Sequence, residues 1–249
     1  MDSLSEEAFY DKVGKMIGWD FSQVQCKTEG VILDFHEEIL RRSKSTDVLL
    51  DIGTGGGESL LELASHVHLL IGIDLSKEMI AKAKESLRAT EANNVKFFQM
   101  DSESLQFPSG FFDMITSRQA PFSAEQVFRT LKKGGMFLSQ QVGEADKLNI
   151  KKAFGRGQGF HNKDGLLKEC YIKKLYEAGF TKVQSIEYDA IEYYQRPEDL
   201  LFLLTHTPIV PNFGQEKQDD EILASFIKEN LTDQGIRTNC QRFLIMAEK

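Results

Sequence analysis

The chain has 249 residues and a formal net charge of −8 at pH 7, a size that suits one large domain, 1–249, with a core of its own. The acidic balance disfavours broad contact with nucleic-acid phosphates, and no apolar run approaches the length of a membrane span. Its three cysteines have neither metal-site nor disulfide spacing, and the polar start is unlike a signal peptide. We therefore predict a cytoplasmic protein without a metal site and without a membrane anchor.

Residues 1–45 are predicted to form a helical cap. A first helix is indicated by apolar residues at helical spacing, namely Phe9, Val13, Met16 and Ile17. A second apolar face runs over residues 31–40. Trp19 and Phe21 lie between the two, where their rings either pack against the domain or belong to a lid over a ligand.

The most informative stretch follows at residues 48–58. An apolar run containing Asp51 leads into Gly53, Gly55 and Gly57, and leucines then recur at helical spacing. This pattern predicts a buried strand, a tight turn and a helix, with backbone N–H groups at the carboxyl edge of a parallel sheet. A dinucleotide site would place a third glycine where Glu58 stands, and that acid would repel a pyrophosphate. A glycine turn that binds no ligand also remains open.

The second predicted strand covers residues 69–74 and ends in Asp74. That acid stands about twenty residues beyond the first glycine, where a carboxylate can accept hydrogen bonds from both ribose hydroxyls of an adenosine. Ser76 is a suitable N-cap for a helix over residues 77–90. His66 and His68 precede the strand without a nearby carboxylate or cysteine at ligand spacing, so we interpret them as surface or partly buried residues.

Three more strands complete a series of β–α repeats. One over residues 95–100 delivers Asp101, Ser102 and Glu103, and the next leads from Phe112 to a segment that starts at Ser117. A helix then reaches the glycines of residues 132–135 and turns into a fifth strand over residues 136–142. Five such repeats predict an α/β protein with a doubly wound, mostly parallel sheet.

The second half of the chain is less regular. Residues 155–161 are predicted to be a mobile glycine-rich connection, and a helix over 164–178 ends at Gly179. A strand over 182–188 and a last strand over 242–247 frame an insertion at about 190–239. Aromatic side chains of the insertion could enclose an apolar ligand, and His206 could act as a general base. Each of them could equally be an ordinary packing residue.

Four linked motifs resemble those of the class I S-adenosylmethionine-dependent methyltransferases, type 11-like. They are the acid and glycines of 51–57, the run 72–79, Asp101-Ser102, and the segment 105–116, followed by the Leu-Lys-x-Gly-Gly form at 131–135. The resemblance is strong over 47–142 and holds in outline elsewhere. It implies a seven-stranded Rossmann-like sheet with an antiparallel last strand. The sheet core would use 46–189 and 240–249, with the helical cap before it and the insertion over the acceptor pocket.

The resemblance also implies a cofactor, S-adenosyl-L-methionine, and the residues that bind it. They are Asp51, Gly53, Thr54, Gly55, Gly57, Asp74, Leu75, Met79, Asp101, Ser102, Glu103 and Ser117. In such enzymes the acid at 101 accepts from the adenine amino group, and the backbone N–H of residue 102 meets a ring nitrogen. Residues after the fourth strand touch the methyl group or the acceptor, which makes Gln119 and Phe122 candidates to line the reaction centre. Arg118 is either a lining residue or an exposed loop charge.

The implied reaction is an in-line displacement of a methyl group from a sulfonium. The protein has chiefly to align two atoms and exclude water, and it needs a base only if the acceptor is protonated. No catalytic residue is therefore named beyond the candidates Gln119 and His206. We expect a small-molecule acceptor and a monomer or homodimer. The alternatives are an RNA- or protein-modifying methyltransferase, and a regulatory module that binds the adenosyl group without catalysis.

Overall fold

The structure, a computed structural model, describes residues 3–17 and 21–249. Trp19, whose packing was predicted above, lies outside the described residues. The helices are α1 (Ser3–Ile17), α2 (Phe35–Arg42), α3 (Glu58–Leu61), α4 (Lys77–Arg88), α5 (Ala124–Thr130), α6 (Leu148–Phe154), α7 (Leu166–Ala178), α8 (Pro197–His206) and α9 (Asp219–Asn230). The strands are β1 (Cys26–Glu29), β2 (Val48–Ile52), β3 (Leu69–Asp74), β4 (Val95–Gln99), β5 (Phe112–Arg118), β6 (Leu131–Val142), β7 (Lys182–Tyr194), β8 (Leu231–Thr232) and β9 (Gly235–Glu248).

The strands of the described residues form one mixed sheet in the order β1-β7-β9-β6-β5-β2-β3-β4, with β8 paired to β9. Strands β4, β3, β2, β5 and β6 are parallel neighbours, and β9 runs antiparallel to both β6 and β7. The chain winds outward from β2 to β3 and β4 on one side, and then returns to β5 on the other. This reversal opens a crevice at the carboxyl ends of β2 and β5, which is the usual place for a ligand in such sheets.

The predicted fold class is confirmed, and seven of the strands have the predicted arrangement with an antiparallel last strand. Two further strands bring the sheet to nine within the described part of the chain. One of them, β1, lies in the segment predicted to be a helical cap, where Cys26 to Glu29 pair with β7. Its residues are mostly exposed, so the sequence lacks the alternation of apolar and polar residues that would predict a strand.

The sheet is covered on both faces, which explains why its central strands are almost continuously apolar. On one face, α5 and α7 pack over a core that includes Leu50, Ile115 and Phe137. On the other face, α2, α3 and α4 cover Leu49, Leu70 and their neighbours. Helix α5 ends at Thr130, before the predicted glycines, because the turn into the main part of β6 is made by residues 132–135, with Gly134 at φ +78°.

Strands β7 and β9 are longer than predicted and form an arm beyond the carboxyl edge of the sheet. Their pairing continues to Tyr194 and Ile236, whereas β6 ends opposite Arg242. The segment between the two strands is therefore 195–234, shorter than the predicted insertion of 190–239. It carries α8 and α9, which pack with α6 around a third core that includes Leu200, Leu204 and Phe226.

None of the helices in the described ranges, 3–17 and 21–249, combines the length and the apolar character needed to cross a membrane.

Candidate functional site

The turn after β2 has a backbone that requires glycine. The N–H groups of Gly53 and Thr54 both donate to the carbonyl oxygen of Ile73, over 2.9 and 3.0 Å, which pins the turn to β3. Gly53 has φ +74°, and a Cβ there would lie 2.2 Å from the Cβ of Ala120. Gly57 has φ +79°, and a Cβ there would lie 2.7 Å from the ring of Phe97. A side chain at either position would be strained by its backbone and blocked by its neighbour.

Asp74, at the end of β3, holds the glycine turn and the start of α4 together. Its carboxylate accepts the backbone N–H of Gly55 on Oδ2 and that of Ser76 on Oδ1, each over 2.9 Å. A carboxylate offers about four acceptor positions, so roughly two remain for further donors. Although the carboxylate keeps some accessible surface, burial among protein atoms raises its pKa, and the two N–H groups counteract that rise.

Asp51 lies next to this frame, on β2. The hydroxyl of Thr116 on β5 donates to its Oδ1 over 2.7 Å. Burial is the main cause that raises the pKa of Asp51 to about 6; the charge of Asp74 raises it further, while Thr116, Thr54 and Arg118 favour the charged form. The buried Thr54 hydroxyl is close enough for this effect but makes no hydrogen bond of ordinary geometry. A cationic ligand in the crevice would stabilise the ionised carboxylate.

The residues predicted to contact adenine follow β4 and lie beside Asp74. The backbone N–H of Met100 donates to the carbonyl oxygen of Asp74 over 3.0 Å, which brings the next residue, Asp101, to the same edge. Asp101 accepts the N–H of Glu103 on Oδ1, an Asx turn that leaves its other oxygen available. Asp101 and Glu103 are exposed, and Ser102 is half-buried.

Two further predicted cofactor residues differ sharply in exposure. Leu75 is 37 % exposed at the edge of the crevice, where an apolar side chain can cover a flat ring. Met79 is only 1 % exposed, because α1 packs across the start of α4. A Cβ at Gly14 of α1 would lie 3.1 Å from the backbone nitrogen of Met79. Met79 therefore supports the crevice from beneath in this conformation.

The carboxyl end of β5 carries a locally strained backbone. Ser117 is buried, and its hydroxyl donates to the carbonyl oxygen of Ala120 over 2.9 Å. Gln119 is exposed and has φ +55°, a left-handed conformation that costs a non-glycine residue about 1 kcal/mol or more. Such strain clusters at functional sites, which agrees with the candidate role of Gln119. Phe122 does not line the crevice, because its ring is buried between Phe137 and Tyr171.

His206 lies at the end of α8 and is 7 % exposed. Its Nδ1 is 2.8 Å from the carbonyl oxygen of Phe202, and its ring packs on the Phe202 ring at 4.2 Å. Those contacts suit a structural residue, and none of the contacts described for His206 reaches the glycine turn.

A contact that the sequence did not reveal joins α1 to the crevice. The hydroxyl of Ser76 donates to Asp11 Oδ1 over 2.5 Å, beside Asp74. The two residues before Asp11 line a cavity of about 270 Å³ between α1, the glycine-rich loop before α7 and the turn after α8. Its lining consists of Phe9, Tyr10, Gly157, Gln158, Gly159, Pro208 and Pro211. Phe9 was predicted to lie on the apolar face of a helix, but only the fold brings it and Tyr10 opposite this loop.

Comparison with known proteins agrees with this arrangement. Residues 49–135, which contain the glycine turn, Asp74 and Asp101, match the family model of the methyltransferase domain. The uncharacterized methyltransferase YcgJ of Bacillus subtilis is 38 % identical over 97 residues, covering 36 % of this chain and 38 % of that protein. The malonyl-[acyl-carrier protein] O-methyltransferase of Paenibacillus sp. is 29 % identical over 181 residues, covering 64 % of this chain and 65 % of that protein. The chain thus spans less than two thirds of these relatives.

Solved structures extend the likeness to most of the fold. The crystal structure of YcgJ has a TM-score of 0.59 at 24 % identity and covers 86 % of this chain and 97 % of that one. The [4+2]-cyclase SpnF has a TM-score of 0.63 at 17 % identity and covers 98 % of this chain and 95 % of that one. At these identities the likeness establishes the fold alone.

Residues 49–135 of the chain form a methyltransferase domain. The family prediction is thus confirmed for this part of the chain, which holds the four linked motifs.

The crevice of this domain suits an adenosyl group without phosphates. Asp74 has acceptor positions left for ribose hydroxyls. Neighbouring side chains leave no room for a Cβ at Gly53 or Gly57, so no side chain projects from the turn at these two positions. Glu58 occupies the place of the third dinucleotide glycine, and a Cβ at Gly56 would lie 2.4 Å from its carboxylate. A negative charge at that point opposes a pyrophosphate but not a sulfonium.

Proposed function

We propose that this protein transfers a methyl group from S-adenosyl-L-methionine to a small-molecule acceptor in the crevice at the carboxyl edge of its sheet. The observation that carries the proposal is the Asp74 carboxylate. It accepts from Gly55 and Ser76 and retains acceptor positions toward the crevice. This arrangement fits the ribose of an adenosyl group, in a chain whose residues 49–135 form a methyltransferase domain.

We propose that the cofactor contacts follow the strand order of the sheet. Adenine lies at the end of β4, the ribose at the end of β3, and the amino-acid end near β2 and β5. The residues assigned to these contacts are Asp51, Gly53, Thr54, Gly55, Gly57, Asp74, Leu75, Met79, Asp101, Ser102, Glu103 and Ser117. Asp101 and Asp74 are brought together by the hydrogen bond from Met100, and β3, β2 and β5 are direct neighbours, which supports this order.

The protein's part in the reaction is alignment and exclusion of water. Bound S-adenosylmethionine supplies an activated methyl group on a sulfonium. Asp74 and the glycine turn would orient that group, and Gln119 would position the acceptor from the end of β5. Well-oriented reactants can gain roughly 7–11 kcal/mol from such alignment. His206 remains a candidate base for an acceptor that must lose a proton.

A small acceptor is favoured over a nucleic acid by the net charge of −8, which opposes a polyanionic substrate. The Paenibacillus relative carries a name that specifies a malonyl group on an acyl-carrier protein, which is also a small reacting group. The thiols Cys26, Cys170 and Cys240 are free, which supports a location in the reducing cytoplasm. We propose one domain, with 195–234 over the acceptor side.

The test of this function begins with calorimetry. S-adenosylmethionine and S-adenosylhomocysteine are each expected to bind, and NADH is not. Binding of NADH without a response to either adenosyl ligand would refute the proposal. Transfer of a labelled methyl group to a panel of small molecules, with RNA and protein acceptors in parallel, then separates an enzyme from a module that only binds. If only RNA or protein is labelled, the acceptor is a macromolecule, and the proposal of a small-molecule acceptor is wrong.

A further inference from the structure

Beyond the glycine turn, the crevice contains a cation that has no acidic partner. Arg118 is the last residue of β5 and is exposed. Among the side chains that the structure describes, no carboxylate forms an ion pair within 4 Å of its guanidinium group. Its positive charge nevertheless acts to lower the pKa of both Asp51 and Tyr188. Arg118 therefore lies between the glycine turn and β7, with its donors available to a ligand.

Tyr188 supplies a second donor on the same side. Arg118 pairs in register with Gln140 on the neighbouring strand β6. Tyr188 pairs with Arg242 on β9, and β9 is the other neighbour of β6. The amide Nε2 of Gln140 donates to the Tyr188 oxygen over 3.2 Å. That bond uses the oxygen as acceptor, so the phenolic proton is left for another partner, and none is described for it. Burial raises the pKa of Tyr188, which keeps this proton in place at neutral pH.

The other cations near Arg118 are already neutralised within the protein. Arg242 lies 2.6 Å from Asp146, and Lys147 lies 2.8 Å from Glu192. Both side chains are largely buried. Arg242 is also the register partner of Tyr188 on β9, and Arg118 is left as an exposed positive charge at this point of the described structure.

The position in the sheet indicates which ligand these donors meet. The proposed adenosyl contacts extend from the end of β4 across β3 and β2 to Ser117 on β5, whereas Tyr188 lies on β7, three strands beyond β5 in the sheet order. Neighbouring strands are about 4.8 Å apart, so roughly 14 Å separate β5 from β7. The hydrogen bond to Gln140 brings the Tyr188 hydroxyl across part of this separation, to the register partner of Arg118, on the side of the crevice away from the adenine end. A guanidinium and a phenolic O–H together match a carboxylate, which accepts two donors at once.

We propose that the methyl acceptor carries a carboxylate, which is bound by the guanidinium of Arg118 and the hydroxyl of Tyr188. Gln140 is a positioning residue, because it acts through the oxygen of Tyr188. The proposal rests on the proposed methyl transfer and adds to it the chemical class of the acceptor. No bond is made or broken at these residues.

The experiment uses the full chain saturated with S-adenosylhomocysteine, so that the cofactor side is occupied. Benzoate and succinate are titrated into it, and benzamide and succinamide serve as neutral counterparts, with binding followed by amide chemical shifts. Both carboxylates are expected to bind better than their amides. Arg118→Gln is expected to weaken the carboxylates at least tenfold, and Tyr188→Phe about threefold or more, whereas Arg118→Lys retains part of the affinity.

Arg237→Gln is the matched control, because Arg237 is an exposed arginine on β9 and is assigned to no ligand. It should leave the carboxylate affinities unchanged, and circular dichroism should show that all variants are folded. Equal binding of carboxylates and amides, or carboxylate binding that survives Arg118→Gln, would overturn the proposal.

A second measurement tests whether the carboxylate belongs to the cofactor instead. S-adenosylhomocysteine has an amino-acid carboxylate, and 5′-methylthioadenosine lacks it. If Arg118→Gln weakens the first ligand and spares the second, the acceptor assignment is overturned. Unchanged affinity for both supports the acceptor assignment. If the wild-type protein binds neither adenosyl ligand, the proposed function itself fails, an outcome distinct from a failure at Arg118.

Discussion

The backbone N–H of Gly55 donates to the carboxylate of Asp74 over 2.9 Å. This bond joins the glycine turn after β2 to the end of β3, and the same carboxylate accepts from Ser76 at the start of α4. The acid that is proposed to bind the ribose thus also holds the turn in place before any ligand enters. Affinity for the cofactor and order in the turn should therefore depend on one side chain.

Asp74→Ala should weaken binding of S-adenosylmethionine at least tenfold, which corresponds to about 1.4 kcal/mol. The change removes the ribose acceptor and leaves the N–H groups of Gly55 and Ser76 without their partner. Calorimetry measures the effect. Glu85→Ala, on the solvent side of α4, removes an exposed acid as a control and should not alter affinity. Wild-type affinity in Asp74→Ala would mean that the ribose contact is misassigned.

Gly53→Ala should destabilise the fold more than Gly110→Ala. Both glycines have positive φ, +74° and +66°, but a Cβ at Gly53 meets Ala120 at 2.2 Å, whereas nothing lies within 4 Å at Gly110. We expect a loss of about 1 kcal/mol at Gly110 from the backbone alone, and about 2–4 kcal/mol at Gly53 from backbone and overpacking together. Urea unfolding of the two variants measures the difference. Equal losses of unfolding free energy would show that Ala120 moves aside without destabilising the protein.

The affinity for S-adenosylmethionine should rise with pH between 5 and 7. Burial raises the pKa of Asp51 to about 6, so in the unliganded protein the carboxyl is mostly neutral at pH 5 and mostly ionised at pH 7. A cationic ligand prefers the ionised form, which gives an expected gain of about tenfold over this range. Calorimetry at several pH values measures it. In Asp51→Asn the gain should disappear, and a profile unchanged by that substitution would assign the titration to another group.

The same pKa shift has a consequence for stability of the unliganded protein. The ordinary pKa of Asp51, 3.8, lies below its folded value of about 6, so the folded state binds the proton more tightly. The contribution of this group to stability is therefore greatest below about pH 4 and is lost as the pH rises through 6. The difference in unfolding free energy between Asp51→Asn and the wild type should change in that window. A constant difference would contradict a raised pKa.

Lys147→Met should destabilise the protein strongly. Lys147 is 2 % exposed, and its Nζ lies 2.8 Å from Glu192 and 3.6 Å from Asp146. Its removal leaves the carboxylate of Glu192 without its counter-charge, a loss of about 3–5 kcal/mol for such buried pairs, whereas Asp146 keeps Arg242. Lys182→Met, which breaks the exposed pair with Glu248, should cost less than about 1 kcal/mol. Urea unfolding compares the two, and similar small losses would show that water or rearrangement compensates at Lys147.

Several features of the molecule follow from local sequence. The apolar run of β2, the glycines after it and Asp74 at the end of β3 are within about 27 residues of one another, and each is dictated by nearby chain geometry. Glu58 in the place of a third glycine, together with Asp74 and Asp101-Ser102 further along the chain, favoured an adenosyl group over a dinucleotide. The Asx turn of Asp101 was likewise predictable, because it uses an N–H only two residues away.

Other features were decided only by the tertiary structure. Strand β1 is polar and short, and it exists because β7 offers it an unpaired edge. Phe122 is a core residue because Phe137 and Tyr171 close around it, and Asp11 reaches Ser76 only when α1 lies across α4. Arg118, Gln140 and Tyr188 are separated by 22 and 48 positions along the chain and meet through strand register. Local sequence preferences determine most strands and turns. Contacts between distant side chains depend instead on how the elements pack, and no short stretch of sequence determines that packing.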